Sequence, residues 1–318
     1  MRIVPEELIA GLVTADDALT AVEGAFAAMA RGAARNFPVV REALGEGRQY
    51  GFKSGLDLGG LLGVKAGGYF PGNAARGVTN HQSTILLFDP ESGIPVAMVG
   101  ANLLTALRTA AAAALSIRLL ARPEARVLGI IGAGHQSTFQ LRAAARVMQV
   151  DRVIAWNRSP DGLARLAAVA AELGLPFDAV ELERMVEAEV IVTITSSPKA
   201  QLLARHVAPG THLACMGTDT IGKQEMEPAL LARARVFTDE VAQSVTIGEA
   251  QHAVALGLLS AQAITPLGAV TIGAAPGRQT TDEITLFDGT GVALQDLAVA
   301  GVALQRAQGR GLGQEVAL

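Results

Sequence analysis

The 318-residue chain is half hydrophobic, 18% charged and carries a formal net charge of −4. That is enough apolar mass for one large or two ordinary domains, and it excludes a disordered chain. The negative balance, with no basic stretch interleaved with aromatics, argues against a nucleic-acid partner. A single cysteine, Cys215, rules out an intrachain disulfide and fits a reducing compartment. The first ten residues carry Glu6 and Glu7 and no long apolar run, so no signal peptide is read there. The most apolar stretch, 103–121, is interrupted by Arg108 and Arg118 and reads as a buried helix rather than a membrane span. The expectation is a cytoplasmic protein without a membrane partner.

In chain order, helical spacing after Thr14 and Asp16 predicts a helix over 14–31. From 38 to about 97 the pattern shortens. Apolar runs at 63–66 and 84–88 are separated by Gly, Pro and Asn, and Asp89-Pro90-Glu91-Ser92-Gly93 marks a turn, so this part reads as antiparallel and β-rich. An Ala-rich helix follows over 101–120. After Arg122-Pro123 the run 126–132 is continuously apolar, as in a strand buried on both faces. Helices at 137–148 and 162–173 then alternate with strands at 152–156, 190–195 and 212–216. Helix-forming sequence within 225–234 leads to a strand at 236–238, and 292–308 is a final helix. Alternating strand and helix predicts βαβ units and a parallel sheet, hence an α/β fold of the doubly wound Rossmann type. No internal repeat or low-complexity linker is visible.

Gly132-Ala133-Gly134-His135-Gln136-Ser137 lies between a predicted strand and a predicted helix, the setting in which a GxGxx[GAS] pattern signifies a dinucleotide. Gly132 permits the tight turn, Gly134 lets backbone N–H groups approach a pyrophosphate, and Ser137 is small enough for close helix packing. At the end of the second strand an NAD site wants a carboxylate for the ribose hydroxyls. Asn157-Arg158-Ser159 has none, and Arg158 suits a 2′-phosphate, so the reading is NADPH, with NADH as a weaker alternative. The plain alternative for Arg158 is a solvated surface residue. Gly217-Thr218-Asp219-Thr220-Ile221-Gly222-Lys223-Gln224 nearly matches a P-loop, but Gln224 stands where Mg²⁺ needs a hydroxyl, and the match is set aside.

Several stretches together resemble the ornithine cyclodeaminase/μ-crystallin family. They are Gly63-Val64-Lys65 with Phe70-Pro71-Gly72-Asn73, His81-Gln82-Ser83-Thr84, 104–111 with the GAGHQS loop and Trp156-Asn157-Arg158, then Gly217-Thr218-Asp219 with Gly222–Glu225, and Phe287–Gly291 with Gln295-Asp296. The resemblance implies a homodimer. It also implies an α+β substrate-binding and dimerisation domain made of 1–118 and 296–318, around a Rossmann domain of 119–295. It maps a substrate carboxylate onto Arg41, Lys65 and Arg108, and a substrate amino group onto Asp219. The residue chemistry agrees: Arg presents a planar fork to a carboxylate, and a charge inside the apolar 101–120 helix needs a partner. A structural ion pair is the alternative for Arg108, a surface role for Arg41, a snorkelling side chain for Lys65 and a helix N-cap for Asp219. Lys65 or Asp219 would move the proton. Cofactor contacts extend to Thr84, Arg108, Thr109, Thr195, Ser196, Ser197, Met216, Gly217, Thr218 and Thr290; of these, Thr195, Ser196, Ser197 and Thr290 equally suit strand-end capping. The histidines show no ligand spacing, so no metal is expected.

These parts fit NADPH-dependent reduction of a small cyclic imino acid, of the 1-pyrroline-2-carboxylate or 1-piperideine-2-carboxylate type. Alanine dehydrogenase-like and ornithine cyclodeaminase activities use the same parts, and a non-catalytic NADPH-dependent binder is the reading from another class. The stretch 47–56 lacks the Glu that the resemblance leads one to expect of a cyclodeaminase. Lys53 there would repel the second ammonium of ornithine.

Overall fold

The computed structural model describes residues 1–317. The chain divides into two compact units, Met1–Arg108 with Val292 onward, and Thr109–Gly291. The division falls inside the Asn102–Leu120 helix and just ahead of the last helix, ten and four residues before the boundaries at 118/119 and 295/296 expected from the sequence. By length and composition Asn102–Leu120 could cross a membrane, yet 78% of its most apolar window is buried inside the protein.

The first unit is a mixed sheet with helices on one side. From edge to edge run Gln314–Glu315, Arg2–Val4, Pro95–Gly100, His81–Phe88, Leu61–Tyr69, Arg48–Asp57 and Ala34–Asn36, with Val40–Gly45 also paired to Arg48–Asp57. All pairings are antiparallel except that of Arg2–Val4 with Pro95–Gly100. The Ala293–Gly309 helix lies across Arg48–Asp57 and Leu61–Tyr69 and packs on Ala15–Ala30. Because side chains alternate along a strand, Lys53 and Gly55 turn to the helical side and are buried, while Tyr50 and Phe52 on the other face are 44% and 42% exposed.

The second unit is an all-parallel sheet ordered Phe177–Ala179, Arg152–Trp156, Val127–Ile131, Val190–Thr193, His212–Cys215, Ile284–Asp288, Ala234–Thr238 and Thr265–Pro266. Its strands are the continuous apolar runs of the sequence, with Leu128, Ile130, Val153, Ile191, Leu213 and Leu286 fully buried. Ile284–Asp288 is not read from the sequence. It inserts between His212–Cys215 and Ala234–Thr238, and a five-residue run buried on both faces has no period to betray it. The Glu6–Leu12 helix and the Arg48–Asp57 strand are likewise unread, the first for its brevity and the second for its polar, Gly-broken sequence.

Candidate active site

In the second unit the strand order reverses at Val127–Ile131, flanked by Arg152–Trp156 and Val190–Thr193. Open parallel sheets bind ligands outside the carboxyl ends of the strands at such a point. The turn that leaves this strand begins at Gly132, with φ 103°. A Cβ there would lie 2.6 Å from the Ile194 carbonyl oxygen and 2.9 Å from Thr195 Cγ2, so only glycine fits. A Cβ on Gly134 would meet nothing within 4 Å, and the Ser137–Val147 helix starts directly after. Open space beside an exposed backbone at a helix N-terminus is what a pyrophosphate requires. The Ala133 N–H donates to Asn157 Oδ1 at 3.1 Å, and its carbonyl accepts from Arg165 Nη2 at 2.9 Å. Asn157 therefore holds the turn from the end of the second strand. Ser137 is fully buried and donates to the Gly134 carbonyl at 2.7 Å. Gln136 is partly buried at the helix start; His135 is exposed and rests on Phe139 at 5.4 Å. Arg158 and Ser159 are exposed, and the Ser159 hydroxyl donates to Asp161 Oδ2 at 2.9 Å.

The other strand ends are tied down by buried carboxylates that sequence reasoning did not single out. The Thr195 N–H donates to Glu225 at 2.6 Å and the Gly217 N–H at 2.8 Å. The Thr218 hydroxyl donates to Glu249 at 2.5 Å, and the Thr290 N–H and hydroxyl donate to Asp239 at 3.1 and 2.7 Å. Ser197 closes a turn by donating to the Lys199 carbonyl, Ser196 is exposed, and Met216 is buried. Asp219 caps no helix, since the next one begins at Pro228. It is half-exposed and accepts from Lys223 Nζ at 2.9 Å. The near-P-loop thus spends its lysine on its own aspartate. Thr109 opens this unit and is buried, whereas Thr84 is exposed on His81–Phe88 in the first unit, where His81 is also partly buried.

Three of the predicted carboxylate-binding residues belong to one cluster in the first unit. Lys53 and Lys65 are cross-strand neighbours, both 7% exposed. Lys65 Nζ donates to Asp296 Oδ1 at 3.0 Å and to Thr105 Oγ1 at 3.2 Å. Arg108 Nε reaches the same Asp296 oxygen at 3.0 Å, and its Nη1 donates to Gln295 at 3.1 Å. Arg41, partly buried on Val40–Gly45, is close enough for its charge to act on Lys65. Burial is the largest influence on Lys65 and pulls its pKa down to about 8; Asp296 opposes this, and Arg108 and Arg41 add to it. At Asp296 burial raises the pKa, but Arg108, Lys65 and Lys53 outweigh it and the group stays below its ordinary value. Asp296 Oδ2 is buried with no hydrogen-bond partner and keeps acceptor capacity. Three cations, Arg108, Lys65 and Lys53, therefore act on one carboxylate, and a fourth, Arg41, acts on Lys65. Burying such an excess of like charge is costly unless an anionic ligand completes it. The sequence assigns neither Asp296 nor Lys53 this role: Lys53 stands out only as a charge that would repel a second ammonium, and Asp296 only as part of the family resemblance.

The parallel sheet with its glycine turn defines the class, a dinucleotide-dependent oxidoreductase, and the cationic cluster has the charge to take an anionic group. The ornithine cyclodeaminase/mu-crystallin family profile matches residues 4–311, and the chain belongs to that family. It is 59% identical to an iminosuccinate reductase of Paracoccus denitrificans, with 99% of each chain covered. The crystal structure of the iminosuccinate reductase of that organism in complex with NAD⁺ superposes with TM-score 0.95 at 58% identity, covering 100% of this chain and 99% of that one. An archaeal alanine dehydrogenase dimer with bound NAD superposes at 0.94 with 32% identity, covering 100% and 99%. A Delta(1)-pyrroline-2-carboxylate reductase of Paracoccus denitrificans is 35% identical over 75% of this chain and 77% of its own.

Proposed function

We propose that the protein reduces a small linear imino dicarboxylate of the iminosuccinate type to the corresponding amino acid, with NAD(P)H as reductant. The observation that carries this reading is the cluster of Lys53, Lys65 and Arg108 acting on the single carboxylate of Asp296, with Arg41 acting on Lys65 beside it. One substrate carboxylate leaves that excess of positive charge incompletely matched; two come closer to balancing it. The name of the 59%-identical relative supports the same substrate class.

When bound, the reduced nicotinamide supplies the hydride for the C=N carbon. Lys65, Arg108 and Arg41 hold the carboxylate next to that carbon, which fixes its orientation. Lys53 meets the distal carboxylate. Lys65, held by Asp296 and Thr105, is the proton donor to the imine nitrogen, because its pKa of about 8 lies near operating pH. Asp219, in its ion pair with Lys223, serves the amino group at most as an acceptor. The balance is imino acid plus NAD(P)H plus a proton, giving amino acid and NAD(P)⁺. Asn157-Arg158-Ser159 offers no carboxylate to repel a 2′-phosphate, so NADPH serves at least as well as NADH. The uncovered apolar sheet face with Tyr50 and Phe52 supports a homodimer, which light scattering would register as twice the chain mass.

The test compares oxaloacetate with ammonium, pyruvate with ammonium, and 1-pyrroline-2-carboxylate, following loss of reduced-nucleotide absorbance with each cofactor. The expected result is the highest kcat/KM for the oxaloacetate mixture, with aspartate as product. An equal or better value for the cyclic imino acid would restore the cyclic substrate. A clear preference for NADH would remove the 2′-phosphate role of Arg158.

A further inference from the structure

Glu225 closes the near-P-loop segment and is only 1% exposed. Its carboxylate takes three donors: the Thr193 hydroxyl at 2.8 Å and the Thr195 N–H at 2.6 Å, from one strand end, and the Gly217 N–H at 2.8 Å, from the adjacent strand end. The fit leaves no slack. A Cβ on Gly217 would lie 2.3 Å from the Thr195 carbonyl oxygen and 2.6 Å from the Glu225 carboxylate. Glu225 is fixed in turn by Glu249, also 1% exposed, whose carboxylate accepts the Glu225 N–H at 3.0 Å, the Met226 N–H at 2.7 Å and the Thr218 hydroxyl at 2.5 Å. On the far side, the Ile194 carbonyl and Thr195 Cγ2 are the atoms that a Cβ on Gly132 would strike. An unbroken line of contacts thus runs from Glu249 through Glu225 and Thr195 to the first glycine of the dinucleotide turn.

We propose that Glu225 is a positioning residue for the nucleotide: by joining the ends of Val190–Thr193 and His212–Cys215 it sets the wall against which the Gly132 turn is built, and Glu249 holds it there. The near-P-loop is then a return segment that delivers this carboxylate beneath the strand ends, its lysine turned to Asp219 and the Gly217 carbonyl. The proposal rests on the reading of the glycine turn as a dinucleotide site.

In Glu225→Gln an amide N–H₂ must face a backbone N–H donor, so one strand end is released while side-chain volume is kept. The experiment titrates NADPH and NADH fluorescence against wild type, Glu225→Gln, Thr218→Val and Thr218→Ser, and measures imino-acid KM at saturating nucleotide. The dissociation constant should rise about tenfold or more in Glu225→Gln, the worth of one hydrogen bond to a charged group. It should rise less in Thr218→Val and recover in Thr218→Ser, with imino-acid KM within about twofold throughout. Native nucleotide affinity in Glu225→Gln, whatever its melting temperature, would overturn the proposal and leave a purely structural carboxylate. If Glu225→Gln does not fold, the Thr218 pair decides: equal affinity in the Val and Ser variants overturns it. Failure of the wild type to bind either nucleotide would instead remove the dinucleotide reading itself.

Discussion

Lys53 and Lys65 stand side by side on adjacent strands, and the two have different work under the proposed reaction. Lys65 shares the Asp296 oxygen with Arg108, whereas Lys53 acts on that carboxylate through its charge. Lys53→Met keeps the packed stem and removes the charge. It should lower kcat/KM for the imino dicarboxylate about tenfold or more, the cost of a charge-assisted hydrogen bond, and change the pyruvate-derived imine less than about threefold. Equal losses on both substrates would make Lys53 a structural cation. Lys65 carries a pH prediction. Its pKa, pulled down to about 8 by burial, means that its positive charge is present below pH 8 and lost above. The inhibition constant of succinate, whose own charge is constant there, should rise as pH passes through about 8, while nucleotide affinity stays level. A flat succinate profile from pH 7 to 9 would sink the assignment.

The Ala15–Ala30 helix shows how an element is both started and moored by the same residues. The Thr14 hydroxyl accepts from the Asp17 N–H at 3.2 Å, and the Thr14 N–H donates to Asp17 Oδ2 at 2.8 Å, a reciprocal capping box. Asp17 also receives two bonds from Arg306 on the Ala293–Gly309 helix, at 2.5 and 2.6 Å, and these are the main reason its pKa falls to about 2. Since that last helix also bears Gln295 and Asp296, the capping box anchors the element that centres the cationic cluster. Thr14→Ala should cost about 1 kcal/mol of stability, read in denaturant unfolding, with kcat unchanged at low temperature. A loss of activity without a loss of stability would mean the anchor reaches the site.

Across the whole molecule, buried acids leave a signature in the stability curve. Burial raises Asp288 to about 7 and, with Glu225 nearby, Glu249 to about 8. Both are raised above their unfolded values, so the stability they contribute is complete below the unfolded pKa and is lost as pH rises through 7 and then 8. His212, lowered to about 3 by burial, acts in the opposite sense only below pH 6.5, and Lys65 only above about 8. Between pH 6.5 and 8 the acids therefore stand alone among the large shifts, and the melting temperature should fall across that window. Glu249→Gln should flatten the fall. A melting temperature that rises over the same range would show these carboxyls to be ionised already in the folded state.

Local chemistry was enough to determine the parallel sheet, its glycine turn and the presence of two basic residues, Lys65 and Arg108, in apolar settings. Buried strands are continuous apolar runs, a turn at positive φ must use glycine, and an isolated charge in an Ala-rich helix is conspicuous. The Gly132–Ser137 turn and the Lys65 and Arg108 positions were legible on those grounds. The pairing partners were not, because they are far apart in the chain. Asp296 meets Lys65 across 231 residues. Lys53 becomes a neighbour of Lys65 only through the register of two strands. Glu225 and Glu249 carry no local mark of burial; the fold takes them out of water and gives them backbone N–H groups to accept. Residue type and spacing set which groups can act. Long-range packing alone decides which charges share a buried site, since desolvation and the distance between partners exist only once the chain has folded.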